Sequence, residues 1–428
     1  MLERFFHLKA HNTDVQTEIT AGLTTFLTMS FILFVNPAIL SATGMDRDAV
    51  FVATCLAAAL GTLIMAFVAN WPIGMAPGMG LNAFFAFGVV GAMGFTWQQA
   101  LGAVFISGLI FLFLTLTGIR SWLIAGMPQS LRSAVVAGIG LFLAIIALSN
   151  AGIVVASEAT KVTLGNLHAP VAIYAMLGFL IIATLDALNI RGAILIGIIA
   201  VTGLSTALGH NEFHGFFSAP PSLLPTFMQM DVMGALKGGL ISVILVFVLV
   251  ELFDATGTLI GVANRANLMP QGKPNNLGRA LIADSTAIIA GAVLGTSSTT
   301  AYIESAAGVQ AGGRTGLTAL TISLLFLAAL VISPLAGSVP AYATAPALLY
   351  VAGLMMKELA AIEWSDVTEA TPAAIMALVM PFTYSIANGV AFGFISYVAL
   401  KLTTGKIASI HPATWLVAIL FILKYALF

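Results

Sequence analysis

Two carboxylates lie inside one long apolar run of the sequence. Glu251 and Asp254 fall within residues 246–258, which are otherwise apolar or small. A spacing of three places both side chains on one helix face. A carboxylate at the centre of a membrane helix costs about 3 kcal/mol on insertion scales and is a functional candidate by default. Because two such neighbours are not both comfortably ionised, the pair predicts a group that gains and loses a proton. The alternative for Asp254 is that it caps a neighbouring half-helix and never titrates.

A third intramembrane acid follows a run of small polar residues. Glu304 lies just after residues 295–300, which read Gly-Thr-Ser-Ser-Thr-Thr, and Asn82 lies at the matching place after the Gly- and Pro-rich residues 72–80. An amide and an ionisable carboxylate together offer hydrogen-bond donors and acceptors. This combination suits a planar, polar, weakly charged heterocycle.

Aromatic residues flank both of these polar positions. Phe84, Phe85 and Phe87 follow Asn82, and Tyr302 precedes Glu304. Such rings can stack on a flat ligand. For each ring taken singly, however, packing against lipid or the protein core is the commoner arrangement.

The two polar stretches interrupt apolar segments that are too short to span a membrane alone. Backbone exposed by Gly, Pro, Ser and Thr at membrane depth is tolerated only where it lines a cavity or packs inside protein. Paired interruptions in two halves of a transporter are a good sequence indication of a substrate site. The alternative is close helix packing, for which small residues are also common in membranes.

The composition requires a lipid environment for the elements that position these residues. The chain has 428 residues, of which 60% are hydrophobic and 8% charged, against roughly 25% charged in soluble proteins. Two groups of seven apolar runs follow one another, and an odd number inverts the second group relative to the first. The runs are 20–40, 49–69, 81–93, 98–117, 132–149, 171–188, 192–208, 235–254, 280–294, 300–309, 315–336, 341–356, 371–384 and 386–402. A further run, 412–427, is predicted to lie along the interface, to span imperfectly or to pack on the bundle.

The distribution of basic residues predicts the orientation of these runs. With the N-terminus in the cytoplasm, the fourteen runs place most bases on the cytoplasmic side, as the positive-inside rule expects. That side receives Arg4, Lys9, Arg120, Arg132, Arg191, Arg265, Lys273, Arg279, Arg314, Lys357, Lys401 and Lys406. The outside receives only Arg47, Lys161 and Lys237.

Other polar residues favour no competing chemistry. Asp284 is expected to pair with nearby Arg279 or to cap a helix. The six His residues fall in terminal or loop segments without metal-ligand spacing, and Ser297 and Ser298 lack a nucleophile-elbow pattern. Phosphate-loop and dinucleotide motifs are missing from the sequence in the right context, and the net charge of −1 argues against a nucleic-acid partner. We therefore expect no enzyme, no metal and no bound cofactor.

Four segments resemble the azaguanine-type purine permeases, a branch of the nucleobase:cation symporter-2 family. They are residues 24–37 (TTFLTMSFILFVNP), 76–85 (APGMGLNAFF), 252–259 (LFDATGTL) and 295–305 (GTSSTTAYIES). The resemblance extends over essentially the whole chain, with the segments in the same order.

The resemblance implies an all-α polytopic fold of fourteen transmembrane segments in two intertwined inverted repeats. Short antiparallel strands would occupy segments 3 and 10. A core domain (20–117 and 235–336) would hold the substrate, and a gate domain (132–208 and 341–402) would face it and form a homodimer. The core would move against the gate as an elevator. This plan does not account for residues 412–427.

The resemblance also implies roles for individual residues. Asn82, Glu251, Asp254 and Glu304 match the family positions for purine binding or coupling. Because the first acid of the eighth-segment motif varies among relatives, Glu251 is assigned to specificity or coupling. Backbone donors between Thr296 and Thr300 are expected to complete the site.

The resulting expectation is an importer of adenine, guanine or hypoxanthine in the cytoplasmic membrane, with H⁺ as the coupling ion. In this reading Asn82, Asp254, Thr299, Thr300 and Glu304 bind substrate, and Glu251, Asp254 and Glu304 take part in proton coupling. Two alternatives stay open: an anion transporter of the same general fold, which would favour Arg or Lys at the interruptions, and a channel.

Overall fold

The computed structural model describes residues 2–237, 240–268 and 276–427. Lys273 and parts of the predicted 235–336 region lie outside the described residues. The helices of the first half are α1 (Leu2–Phe6), α2 (Val15–Met29), α3 (Ile32–Ser41), α4 (Arg47–Ile64), α5 (Met79–Ala83), α6 (Trp97–Leu116), α7 (Ile119–Ala125), α8 (Gln129–Asn150), α9 (Pro170–Ala187) and α10 (Ala193–Ala207). Wider π-helical turns, Met65–Ala69 and Phe84–Ala92, extend α4 and α5.

The second half is also mostly helical. Its helices are α11 (Val232–Ala235), α12 (Leu240–Arg265), α13 (Leu277–Leu294), α14 (Ser305–Gln310), α15 (Gly316–Ala328), α16 (Ser333–Gly337), α17 (Ala341–Met355), α18 (Val367–Thr383), α19 (Ile386–Thr403) and α20 (Pro412–Leu427). Single 3₁₀ turns lie at Leu8–His11, Ala329–Ile332, Met356–Ala361 and Ile407–Ser409.

The protein is a multi-pass membrane protein. Within the described residues, nine helical stretches are long and apolar enough to cross a bilayer, and four shorter apolar helices accompany them. Most predicted apolar runs coincide with helical segments, whereas the run 300–309 begins on a β-strand (Thr299–Ala301) and is helical only from Ser305. The count of fourteen crossings stays a prediction, because several of these segments are shorter than a full span.

One predicted boundary is wrong. The run placed at 235–254 is a helix from Leu240 to Arg265, so Glu251 and Asp254 lie near its middle rather than at its end. Apolar character alone ended the run at Asp254, whereas helical hydrogen bonding continues for three more turns.

Two short antiparallel sheets accompany the helices. Strand β1 (Met75–Pro77) pairs with β4 (Thr299–Ala301), with Ala76 opposite Thr300. The expected strands in the third and tenth segments are therefore confirmed, and they pair with each other. The hairpin of β2 (Val154–Ser157) and β3 (Lys161–Leu164) is exposed, and the sequence analysis did not predict it.

The helices pack in two groups. Helices α2, α4, α6, α12, α13 and α15 contact one another around the β1–β4 pair, whereas α8, α9, α10, α17, α18 and α19 contact one another. This packing is what a division into core and gate domains would produce, and that division stays a prediction.

Helix α20 packs against α19 and α7, and Thr414 donates a hydrogen bond to the Gly126 carbonyl at 2.8 Å. Residues 412–427 were predicted to lie along the interface, to span imperfectly or to pack on the bundle, and these contacts agree with the third arrangement.

Candidate functional site

The two interruptions meet at the centre of the first helix group. Beyond the β1–β4 ladder, the Gly78 amide donates to the Ser298 carbonyl at 2.9 Å, and the Tyr302 amide donates to the Gly74 carbonyl at 3.0 Å. The Tyr302 hydroxyl donates to the Pro77 carbonyl at 2.5 Å. Each interruption thus satisfies backbone groups of the other, which lets irregular chain exist at membrane depth.

Asn82 lies in a network of buried polar side chains. Its Nδ2 donates to Asn36 Oδ1 at 2.6 Å, and its Oδ1 accepts from the Ser297 hydroxyl. Asn36 in turn donates to the hydroxyls of Thr54 at 2.7 Å and Thr296 at 2.9 Å. Asn82 therefore ties the two interruptions together. Asn36 was not among the predicted site residues, although an amide followed by proline inside an apolar run is a usable signal.

The two acids on α12 have different surroundings. Glu251 is fully buried, and its Oε1 accepts from the Ser107 hydroxyl at 3.4 Å. Glu251 Oε2 has no hydrogen-bond partner within the described residues, and the nearby Ser298 hydroxyl does not reach it with hydrogen-bond geometry. A buried carboxylate with one unpartnered oxygen is costly in its charged form.

Asp254 and Glu304 are only half-buried, which distinguishes them from Glu251. Within the described part of the chain, neither carboxylate accepts a hydrogen bond or forms an ion pair. Helix α12, which carries Asp254, contacts both β4 and α14, the two elements that flank Glu304. Both members of the predicted pair are therefore half-buried acceptors without a hydrogen-bond or ion-pair partner among the described residues.

Gly78 places Asp254 beside the strand pair. A side-chain carbon added at Gly78 would lie 3.0 Å from Thr300 Cγ2 and 3.8 Å from Asp254 Oδ2. The absence of a Cβ at Gly78 therefore lets the end of β1 pack closely against Thr300, and a larger residue there would crowd both Thr300 and the Asp254 carboxylate.

The structure separates the two predicted threonines. Thr300 faces Gly78 and donates to Asp284 Oδ1 at 3.2 Å. Thr299 lies on the opposite face of β4, where carbons added at Gly291 and Gly61 would lie 2.5 Å from its Oγ1 and 3.4 Å from its Cγ2. Because strand side chains alternate, the structure brings Thr300 to the carboxylates and leaves the Thr299 side chain packed between helices.

Asp284 does pair with an arginine, but the expected partner was wrong. Asp284 Oδ2 lies 3.1 Å from Arg120 Nη2, and both side chains are fully buried. Arg120 had been placed among the cytoplasmic bases, whereas the structure buries it between α6, α12 and α13. Arg279 was the nearer base in sequence, and helix packing selected the distant one.

The flanking aromatic rings mostly pack within the protein. Phe84 and Phe85 are fully buried, and the Phe84 ring meets Phe247 edge-on with centroids 5.1 Å apart. Tyr302 is held by its hydroxyl bond to Pro77. Phe87 is half-buried.

Two cavities lie away from these acids. One, of about 140 Å³, is apolar and lies among α8, α9 and α17. The other, of about 450 Å³, is lined by Gln129, Glu363, Glu369, Tyr397 and His411 among others. Among the residues that the structure describes, no group of three or more His, Cys, Asp or Glu is arranged to hold a metal ion.

Comparison with known proteins places this geometry in a family. The xanthine/uracil permease model, described as the Permease family, matches residues 16–392. The chain is similar to adenine permease AdeP of Escherichia coli K12, with 50% identity over 99% of this chain and 96% of that protein. It is also similar to guanine/hypoxanthine permease PbuO of Bacillus subtilis 168, with 47% identity over 98% of this chain and 99% of that protein.

A solved structure shares the fold. The transmembrane domain of a cyanobacterium bicarbonate transporter, BicA, superimposes with a TM-score of 0.64 over 90% of this chain and 97% of that chain. Sequence identity is 18%, so this likeness concerns the fold alone.

Proposed function

Because the chain belongs to the xanthine/uracil permease family, we propose that it carries purine nucleobases across the membrane in symport with H⁺. Adenine, guanine and hypoxanthine are the proposed substrates, in keeping with the relatives named above. The observation that carries the proposal is the pair of half-buried, uncommitted carboxylates, Asp254 and Glu304, beside the β1–β4 pair.

Each polar group has a role that its surroundings favour. Asp254 and Glu304 accept hydrogen bonds from ring N–H or amino groups of the purine, since neither has a donor of its own. The Thr300 methyl group packs against Gly78, near the Asp254 carboxylate. Asn82 acts indirectly, because its amide is engaged by Asn36 and Ser297, and it holds the two interruptions in register.

The excess of acids over bases among these residues supports proton coupling. Arg120 pairs with Asp284, whereas Glu251, Asp254 and Glu304 have no ion-pair partner among the described residues. Unpaired charge is expensive away from water, so a proton that binds with the purine offsets part of this excess. Glu251 is our candidate carrier, since it is fully buried with one oxygen unpartnered.

The proposed transport cycle moves the first helix group against the second as an elevator. Fourteen segments, a homodimer through the gate, a cytoplasmic N-terminus and an inner-membrane location belong to the same proposal. The two-group packing and the excess of bases on one side support it. Anion transport, suggested by the fold of BicA, is less well supported, because acids lie where an anion site requires positive charge.

Uptake of radiolabelled adenine into membrane vesicles containing the protein tests the proposal. We expect saturable uptake that unlabelled guanine or hypoxanthine inhibits where they share the site, and that falls when the proton gradient is collapsed. Saturable uptake undiminished by collapse would remove the proton coupling while leaving purine transport. Lack of any purine uptake, with bicarbonate uptake instead, would overturn the function itself.

A further inference from the structure

Arg120 has no role in the site described so far, and its surroundings are unusual for a base. It lies in the first turn of α7 and is fully buried. Its guanidinium donates to Asp284 at 3.1 Å, to the Thr256 hydroxyl at 3.3 Å and to the Leu281 carbonyl at 3.4 Å. Its Cζ lies 3.9 Å from the centre of the Phe111 ring. The planar fork of arginine thus holds α6, α12 and α13 in one arrangement.

The contact chain continues from Arg120 to the substrate strand. Asp284 uses Oδ2 for Arg120 and Oδ1 for the Thr300 hydroxyl at 3.2 Å. Thr300 is on β4, next to Gly78 and the Asp254 carboxylate. Among the described residues, Arg120 is the only base that forms an ion pair with any of the acids Glu251, Asp254, Asp284 and Glu304.

We propose that Arg120 is a positioning residue for the purine site, acting through Asp284 on Thr300. Arg120 fixes the Asp284 carboxylate so that its free oxygen takes the hydrogen of the Thr300 hydroxyl. A hydroxyl whose hydrogen is committed in this way offers only lone pairs to its other neighbours. The Thr300 side chain is then held in one rotamer, with its hydroxyl on Asp284 and its methyl group toward Gly78 and the Asp254 carboxylate. This inference rests on the proposed function.

A simpler role for Arg120 is to neutralise Asp284. Lysine distinguishes the two roles, because it keeps the positive charge but lacks the fork that reaches Asp284, Thr256 and Leu281 together. If charge alone matters, Arg120→Lys behaves as the wild type. If position matters, the Thr300 hydroxyl loses its fixed orientation and substrate binding weakens.

A double-mutant cycle on adenine uptake tests the proposal. Arg120→Lys and Thr300→Val are each expected to raise KM roughly three- to tenfold, about the value of one hydrogen bond. The double variant should have the KM of Thr300→Val alone, since Arg120 acts through that hydroxyl. Arg191→Lys is the matched control, because the Arg191 guanidinium donates a hydrogen bond to the Thr24 hydroxyl at 3.1 Å. Combined with Thr300→Val, it should leave the KM at the value for Thr300→Val alone.

Two results would overturn the positioning role: a wild-type KM for Arg120→Lys, or a KM in the double variant equal to the product of the single effects. If the wild type takes up no adenine, the proposed function fails separately. In that case the double-mutant cycle uses the unfolding midpoints of the purified wild type, the two single variants and the double variant, measured without substrate. Non-additive shifts support the link from Arg120 to Thr300, and additive shifts refute it.

Discussion

The two interruptions share a geometry but differ in chemistry. The first is rich in Gly and Pro and leads to neutral Asn82, whose amide is fully engaged within the protein. The second is rich in Ser and Thr and leads to Glu304, which has no partner among the described side chains. A repeated backbone plan therefore supports an asymmetric site, in which one half supplies scaffold and the other supplies ionisable groups. We therefore expect substitution of Glu304 to impair transport and substitution of Asn82 to impair stability.

The largest effect is expected from removing the Glu304 charge. Glu304→Gln should lower purine uptake roughly 30- to 100-fold, because a hydrogen bond to a charged acceptor is worth about 1.5–3 kcal/mol. The unfolding midpoint should not fall, since no internal partner is lost. Uptake per folded protein and thermal unfolding are measured together. Glu158→Gln, an exposed acid near the β2–β3 hairpin, is the matched control, and near-normal uptake by Glu304→Gln would break the comparison.

At the first interruption we expect a smaller effect, on stability rather than on transport itself. Asn82→Ala leaves Asn36 Oδ1 and the Ser297 hydroxyl without their partner, at a cost of about 1–3 kcal/mol of unfolding free energy. The unfolding midpoint should drop, and uptake should fall in proportion to the folded fraction. Asn166→Ala on the exposed surface controls for the substitution. A normal midpoint with abolished uptake would move Asn82 from the scaffold into direct contact with substrate.

The smallest effect on uptake and stability is expected at Tyr302, whose hydroxyl joins the second interruption to the first. Tyr302→Phe removes the hydroxyl bond to the Pro77 carbonyl, which should cost about 1 kcal/mol or less. Uptake should stay within a few-fold of wild type, because the β1–β4 ladder remains. A tenfold loss of uptake at an unchanged midpoint would show that Tyr302 belongs to the binding surface instead.

The sequence predicted well those features that depend only on local composition. Acids within an apolar run stand out because the membrane penalises them, and so Glu251, Asp254 and Glu304 were found. The paired strands followed from the family resemblance and from two interruptions at matched places. The sequence did not predict that Asp254 and Glu304 are half-buried while Glu251 is fully buried. That difference depends on helix packing, which no local pattern specifies.

The features that the sequence did not predict depend on register and on distant partners. Thr299 and Thr300 are adjacent in sequence, and only the start of β4 decides which one faces the acids. Arg120 pairs with Asp284 across two helices, although Arg279 is closer along the chain. The Asn36 network needs four segments in contact at once. Local periodicity contains no information on any of these choices.

The pairing of β1 with β4 also has a consequence for how the protein is made. The partners are separated by about 220 residues of chain, which a ribosome adds in roughly 10–45 s at ordinary elongation rates. During that interval β1 is inserted without its partner, so its amides and carbonyls need water, lipid head groups or the insertion machinery. The strand pair is therefore completed late in biogenesis, only after the second half of the chain has been made.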